Sequence, residues 1–401
     1  MEAATMDIFS PETRRDPYPL YDRLRAAAPV FQEPRSGHWM LFDYDSVRRA
    51  LNDADVFSSV VAPNAPRTSR WLIFSDPPRH THLRGLVMRA FTPRAVAAME
   101  PRIRELSRGL LDPAIERGEM DLVADYAVPL PLLVIAEMLG APAEDRPRFR
   151  RWTDAMVAMA HTVADDDAAA RAVADFVAAH DEMAAYLPPL LEARRRNSRD
   201  DLLTRLVEVE IEGERLAEED ILGFFELLLL AGHETTANLI SNAVLSLAAH
   251  PDQLARLRAE PALVPGAVEE VLRYRSPVQA VFRRAKREVE LGGRAIPAGA
   301  LVLAWIGAAN RDPARFAEPA RFDVARDPNP HVAFGHGIHF CMGAALARIE
   351  GRVALAHLLD RLGEIEITAG DDWEPREGFH VHGPSSLPIR FEPRNRMARM
   401  E

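Results

Sequence analysis

The segment Glu218 to Ala249 constrains the fold more than any other part of this chain. Apolar residues recur through it at helical spacing, and its middle is apolar on every side. A surface helix needs a polar face, so a helix of this kind runs through a core rather than over one. It then continues into Ala231-Gly232-His233-Glu234-Thr235-Thr236. Acid, alcohol and imidazole groups are thereby expected at the centre of a buried helix, where unpaired polar groups are costly.

The rest of the chain also reads as mainly α with small β-sheets. Helical spacing marks Leu20–Ala28, His80–Phe91, Pro93–Glu116, Leu130–Leu139, Arg148–Met159, Asp166–Arg195, Pro251–Glu260 and Val264–Tyr274. Asp76-Pro77-Pro78 punctuates the chain before His80, and Asp165-Asp166-Asp167 reads as a solvated turn with a helix cap. Strand character appears at Trp39–Phe42, Val289–Leu291, Leu301–Ile306 and Leu387–Phe391, with Gly292-Gly293 as a hairpin turn. Residues 310–329 form a long aperiodic stretch, a feature that in a compact domain usually serves a site. With no repeat, linker or shift in composition, residues 1–401 are expected to form a single domain.

Composition excludes several classes of function. A net charge of −11 argues against nucleic-acid partners, which need a basic face. The longest apolar run, Ile221 to Gly232, is interrupted by Glu226 and is shorter than the roughly 20 residues of a bilayer span. The first residues lack the basic start and apolar centre of a signal peptide. One cysteine in 401 residues forms no internal disulfide and builds no multi-cysteine metal cage. A cytoplasmic protein with no membrane association is expected.

That cysteine, Cys341, lies in Phe334-Gly335-His336-Gly337-Ile338-His339-Phe340-Cys341-Met342-Gly343, followed by the helix-forming run Ala344-Ala345-Leu346-Ala347-Arg348. A thiolate at the mouth of a helix is stabilised by the dipole and by free N–H groups. A lone cysteine is more often a small buried hydrophobe; its glycine-rich flanks reverse that reading. Three further patterns accompany it: Glu270-Val271-Leu272-Arg273, a Glu and an Arg on one helix face; His80 with Arg84 one helical turn on; and the Ala231–Thr236 run. His233-Glu234 invites a zinc reading through His-Glu-x-x-His, but position 237 is Ala.

Taken together, in this order and with the Asn310-Arg311-Asp312-Pro313 run, these patterns resemble the cytochrome P-450 family, specifically its soluble bacterial type, over essentially the whole chain. The resemblance implies the cytochrome P-450 fold, with heme b (iron protoporphyrin IX) held between the long core helix and the helix after the cysteine loop. It implies Cys341 as the metal ligand, a thiolate that pushes electron density onto iron. Gly335, Gly337 and Gly343 would let the backbone approach the porphyrin, and Phe334 would shield the thiolate. His80, Arg84, Arg283 and His339 would meet the heme propionates; Arg283 and Arg284 would face opposite ways in a strand, and it is the resemblance that favours Arg283. Ala231 and Gly232 would leave space above the iron, and Glu234 with Thr235 would serve oxygen activation as the catalytic acid–alcohol pair. A competing reading for the threonines is back-bonding to a carbonyl one turn earlier. Glu270 and Arg273 would form a structural ion pair, extended by Arg321 or a neighbour.

The same resemblance implies an O2- and NAD(P)H-dependent monooxygenase that hydroxylates or epoxidises a mid-sized, mostly apolar small molecule. Val61, Leu72, Leu228, Val278, Gln279, Val281 and His380 are the expected substrate contacts. No Gly-x-Gly-x-x-Gly run follows a strand, so electrons would come from a ferredoxin and its ferredoxin reductase, with Arg348 and Arg352 as candidate docking cations and a monomer expected. Two alternatives are a hydrogen-peroxide-driven peroxygenase, disfavoured by the intact Glu234-Thr235 pair, and a non-catalytic heme–thiolate sensor, which needs no such pair.

Overall fold

The computed structural model describes residues 10–61, 67–161 and 167–394. Seven of its helices position the site: α1 (Arg79–Ala90), α2 (Pro129–Met138), α3 (Arg146–His161), α4 (Asp167–Arg196), α5 (Glu218–Ala249), α6 (Val264–Tyr274) and α7 (Ala344–Arg361). The sequence locates α5 and α6 to the residue. Glu218, Glu219 and Asp220 occupy the first turn of α5, where carboxylates meet the positive end of the helix dipole. Along its length α5 packs against α2, α3, α4, α6 and α7. The largest apolar cluster gathers around it, from Phe225 and Leu229 to Ile135, Trp152, Met183 and Val353. It is thus the core helix that its pattern required.

Five short strands form one sheet: β1 (Val30–Gln32), β2 (Trp39–Leu41), β3 (Phe57–Ser58), β4 (Val281–Ala285) and β5 (Leu301–Ala304), in the order β1-β2-β5-β4-β3. Only the β2–β5 pair is parallel. A second sheet joins Leu362–Ile367, Pro388–Pro393 and Glu119–Asp121. The Gly292-Gly293 hairpin is present, both glycines having positive φ (56° and 71°).

Several expectations need correction. Pro93–Glu116 is two helices, Pro93–Ala98 and Glu100–Arg117. Pro101 lacks an N–H to continue the first one, and it lies in the first turn of the second, where a missing N–H is tolerated. The strand expected to reach Ile306 ends at Ala304, and a short helix Ile306–Ala309 follows. Helices Tyr44–Asn52 and Leu202–Glu208 were missing from the sequence reading. Their signals were nevertheless present, since Asp43 and Asp201 cap them, each accepting a backbone N–H at 2.8 Å, from Ser46 and Thr204. Asp165 and Asp166 lie outside the described residues, and Asp167 opens α4. No helix among the described residues is long and apolar enough to cross a membrane.

Candidate active site

The cysteine loop is folded back on itself by backbone bonds. Gly335 N donates to Val332 O at 2.8 Å, Phe340 N to Gly337 O at 3.0 Å, and Cys341 N to Phe334 O at 2.9 Å. Gly335 and Gly337 have φ of 73° and 70°, which side chains rarely adopt. At Gly337 a Cβ would also stand 2.9 Å from Asn52 Cα, so glycine is required twice over. Gly343 has φ of −80°, a backbone conformation that does not itself require glycine.

Cys341 is enclosed by protein, yet it remains open to a water-sized probe, so it faces a cleft inside the molecule. Burial raises the pKa of its thiol. The N–H groups of Gly343 and Ala344 and the guanidinium groups of Arg84 and Arg348 oppose that rise without cancelling it. The stabilising groups read from the sequence are therefore present, but burial outweighs them; a bound cation would reverse the balance, since metal coordination deprotonates a thiol. Phe334 sits below the loop with the Arg348 guanidinium 4.5 Å from its ring centre. Arg348, one of the candidate docking cations, is itself paired with Glu269 through two bonds of 2.7 and 2.8 Å.

Beside the loop, four basic groups converge. The His80 and His339 rings are 4.2 Å apart between centroids. His80 is buried with neither ring nitrogen partnered, and Nε2 of His339 is likewise unpartnered. Arg283 is buried on β4, its Nη1 donating to Phe282 O at 2.8 Å, whereas Arg284 turns the other way to the carbonyls of Gly299 and Val61. Nη2 of Arg84 donates to Phe340 O at 2.6 Å. Burial, then Arg283, His80 and Arg84, push His339 down to about 3, and burial lowers Arg283 to about 10. Among the described residues no ion pair engages any of the four. Two arginines and two histidines with no carboxylate partner and with orphaned ring nitrogens suit an anion, and a group carrying two carboxylates beside a thiolate-bound metal fits them.

On the other side, α5 presents Ala231 openly and Thr235 in part. Thr235 Oγ1 donates to Ala231 O at 2.7 Å, the back-bonded state. Gly232 does not open space there: a Cβ would meet Ile135 Cδ1 at 2.9 Å, so its small size lets α2 approach α5. Glu234 is buried and turned away from Thr235. Its Oε1 lies 2.8 Å from His161 Nε2 at the end of α3 and 3.9 Å from Arg376 Nη1. Burial pushes the Glu234 pKa up, but His161, Arg376 and His380 outweigh it and hold the carboxyl below its ordinary range. His233 is buried without a ring partner, and burial lowers it to about 4.

The Glu270–Arg273 pair is present and fully buried. Its extension is Arg326, whose Nε is 3.1 Å from Glu270 Oε1. Arg321 contributes only its carbonyl to Arg273, while its side chain pairs with Glu318 at the surface.

Among the expected substrate contacts, Val61, Leu228, Val278, Val281 and His380 are half-buried. Two need correction. Leu72 is buried within the main apolar cluster. Gln279 is buried in structural bonds, accepting from Tyr21 OH at 3.0 Å and donating to Ser276 O at 2.7 Å. The sequence reading missed His161, Arg376 and the buried acid Glu350. It also missed a polar cluster in which Glu226 accepts Trp71 Nε1 at 2.8 Å and contacts His180 Nδ1 at 2.6 Å. No motif marks these residues, because their partners come from distant elements.

A thiol open inside the protein, a core helix that presents Ala231 and Thr235, and two arginines and two histidines beside the thiol fit a heme-thiolate site. Residues 31–383 match the sequence model of the family described as Cytochrome P450. The monooxygenase PikC of Streptomyces venezuelae is 44% identical, covering 94% of this chain and 91% of its own. The vitamin D(3) 25-hydroxylase of Pseudonocardia autotrophica is 42% identical, covering 97% of both. Among solved structures, CYP109E1 of Bacillus megaterium in complex with corticosterone superposes with a TM-score of 0.87 at 39% identity, over 95% of this chain and 100% of that one. The chain belongs to the cytochrome P450 family. It is a heme-thiolate monooxygenase of the bacterial type, and heme is its cofactor.

Proposed function

We propose that this enzyme takes electrons from a separate ferredoxin and its NAD(P)H-dependent reductase, and hydroxylates or epoxidises a mid-sized, mostly apolar small molecule. The observation that carries this reading is Cys341, open inside the protein, with His80, Arg84, Arg283 and His339 gathered beside it and engaged by no carboxylate among the described residues. Cys341 would hold the iron, and His80, Arg84, Arg283 and His339 would hold the propionates. When bound, thiolate-ligated heme supplies oxygen activation. Thr235 would place its hydroxyl towards the reacting oxygen once released from Ala231 O, and Glu234 would pass it a proton. Glu270 and Arg273 would fix the stretch leading into the cysteine loop. A separate electron donor is the reading that a heme domain without a dinucleotide fingerprint calls for. The whole chain would act as one domain in the cytoplasm.

Half-buried Val61, Leu228, Val278 and Val281 favour apolar surface on the substrate. Relatives that hydroxylate vitamin D(3) and bind corticosterone make rigid multi-ring molecules the first probes. The test is an optical spin-state titration of the holoenzyme with corticosterone, testosterone and vitamin D(3), followed by NAD(P)H consumption and product analysis with a surrogate ferredoxin system. Tight binding by every probe, with no oxygenated product from any, would count against the reading. Cys341→Ser should abolish the red-shifted Soret band of the ferrous–CO complex; its retention would remove Cys341 from the iron.

A further inference from the structure

Asp76 places a negative charge close to a site built for an anion. Its main-chain oxygen accepts His80 N at 2.9 Å, so it starts α1, the helix that carries His80 and Arg84. Its carboxylate fastens that start to the end of β3, with Oδ1 accepting Ser59 N at 2.9 Å. Burial pushes the Asp76 pKa up, but Ser58, the Ser59 N–H and Lys286 outweigh it and hold the carboxyl below its ordinary range, so it stays charged. That charge acts on His80, Arg283 and His339, three of the four basic groups read above as propionate partners. Its ion pair, however, is made elsewhere: Nζ of Lys286 lies 3.0 Å from Asp76 Oδ2. Lys286 is the only lysine in the chain, and the sheet sets its position. β4 ends at Ala285, opposite Phe57 of β3; Lys286 N then donates to Val56 O at 2.7 Å, and its Nζ to Ala54 O at 2.7 Å.

We propose that Lys286 is a positioning residue for heme: its ammonium neutralises Asp76 and keeps that carboxylate from opposing the propionates at His80, Arg283 and His339. The proposal rests on the reading that these groups hold the propionates. Arg283 is buried, and its Nη1 is engaged only by the carbonyl of Phe282, the residue before it. A buried guanidinium short of an anion takes a charge-assisted bond from whichever carboxylate is at hand. The Asp76 side chain is 18% exposed, so water screens its field only in part. A cation in contact with it turns a single charge into a dipole, whose field falls off faster with distance than that of a bare charge. Without the ammonium, Asp76 keeps the Ser59 N–H, but its uncompensated charge falls on the groups that the cofactor needs. The acid is required to fasten β3 to α1, and the lysine offsets the electrostatic cost of having it there. The simpler alternative is a staple, in which Lys286 only pins residues 54–56 against the end of β4. Removing both charges separates the two roles: a staple stays broken, whereas a charge balance is restored.

The test is the rate of heme loss from the ferric holoenzyme to excess apomyoglobin, followed by Soret absorbance, which needs no turnover. Wild type, K286Q, K286R, D76N, D76N/K286Q and R283Q are compared, each first shown to form the red-shifted ferrous–CO band. K286Q loses heme about ten-fold faster, the low end for a lost hydrogen bond to a charged group. K286R and D76N stay near the wild-type rate, and D76N/K286Q returns towards it. Added salt narrows the gap between K286Q and wild type. A second arm leaves the folded chain as it is. Wild-type holoenzyme is acetylated with an N-hydroxysuccinimide ester, which turns the Lys286 ammonium into a neutral amide, and K286R treated in the same way corrects for the N-terminal amine. Acetylated wild type then loses heme as K286Q does. A D76N/K286Q protein as leaky as K286Q would reduce Lys286 to a staple and overturn the proposal, as would acetylated wild type that keeps its heme. R283Q with the wild-type rate would remove the propionate reading and this proposal with it, whereas fast loss from R283Q beside an unchanged K286Q would refute the proposal alone.

Discussion

Replacing Glu270 by alanine should unfold the link between α6 and the cysteine loop. The carboxylate of Glu270 is fully buried and receives Nε and Nη2 of Arg273 at 2.8 Å each, Arg326 Nε at 3.1 Å, Asp323 N at 3.0 Å and Asn329 Nδ2 at 3.2 Å. Arg273 gives its remaining hydrogens to the carbonyls of Asn310, Pro319 and Arg321. Removing the acid leaves a buried guanidinium without a counter-charge, at a cost of about 3–5 kcal/mol. That is a large share of a total stability of about 5–15 kcal/mol. With an unfolding entropy of about 2.1 cal/mol/K per residue over 401 residues, the loss lowers Tm by roughly 4–6 °C. Because Asp323 and Asn329 lose their anchor, heme retention should fall alongside it. The assay is thermal unfolding followed by circular dichroism, together with the yield of the ferrous–CO band. Arg321→Ala is the control: its side chain is in an exposed pair with Glu318, worth about 0–1 kcal/mol, so Tm should stay put. A Glu270→Ala protein with wild-type Tm and full heme content would refute the reasoning, as would an Arg321→Ala protein that loses as much.

Three further outcomes are expected. Trp71→Phe keeps the ring contact with Phe176 but strips Glu226 of an indole donor, and should cost about 1–3 kcal/mol in a urea titration; an unchanged midpoint would mean that the acid finds another partner. Burial raises Glu350 to about 8, so between its unfolded value near 4.5 and 8 the folded state holds a proton that the unfolded state has lost, and stability falls as pH rises. Glu350→Gln should therefore stabilise the protein at pH 7 by about 2–3 kcal/mol and flatten that limb; no gain would show the acid to be ionised in the fold. Burial and the nearby Arg275 push His382 down to about 3, so as pH falls from about 6.5 the unfolded state takes up the extra proton and stability drops, by about 1.4 kcal/mol per pH unit. His382→Asn should remove one such increment from the acid slope of the unfolding free energy, and an unaltered slope would contradict the assignment.

The fold was legible where local pattern decides structure. α5 and α6 were readable to the residue because apolar periodicity and helix ends coincide in them. The break at Met99 was not, because the apolar spacing continues across it and only Pro101 interrupts the hydrogen bonding. The short helices after Asp43 and Asp201 were lost for a different reason. Their caps are single residues, and helices of nine and seven residues carry too few periods for a pattern to show. The cysteine loop was readable because its function needs glycine at positive φ at defined offsets from the thiol. That Arg283 and Arg284 face opposite ways was readable because strand alternation is a local rule, but which of them faces the site was not, and only the family resemblance favoured Arg283.

What remained hidden depends on contacts between segments remote in sequence, and Gly232 shows why. Read along the chain, a small residue beside Ala231 suggests room for a ligand; in the fold its missing side chain is filled by Ile135 from α2. Both explanations predict the same letter, and only the neighbour distinguishes them. Glu234 and Thr235 extend the point. As adjacent letters they read as a working pair, yet on a helix neighbouring side chains diverge by about 100°. Thr235 consequently opens on the cleft while Glu234 is buried against α3 and the C-terminal loop. An acid so placed is held away from Thr235, and the groups beside it, His161 and Arg376, belong to other elements. Adjacent letters therefore name two side chains without saying where either points, and partners outside the motif decide that.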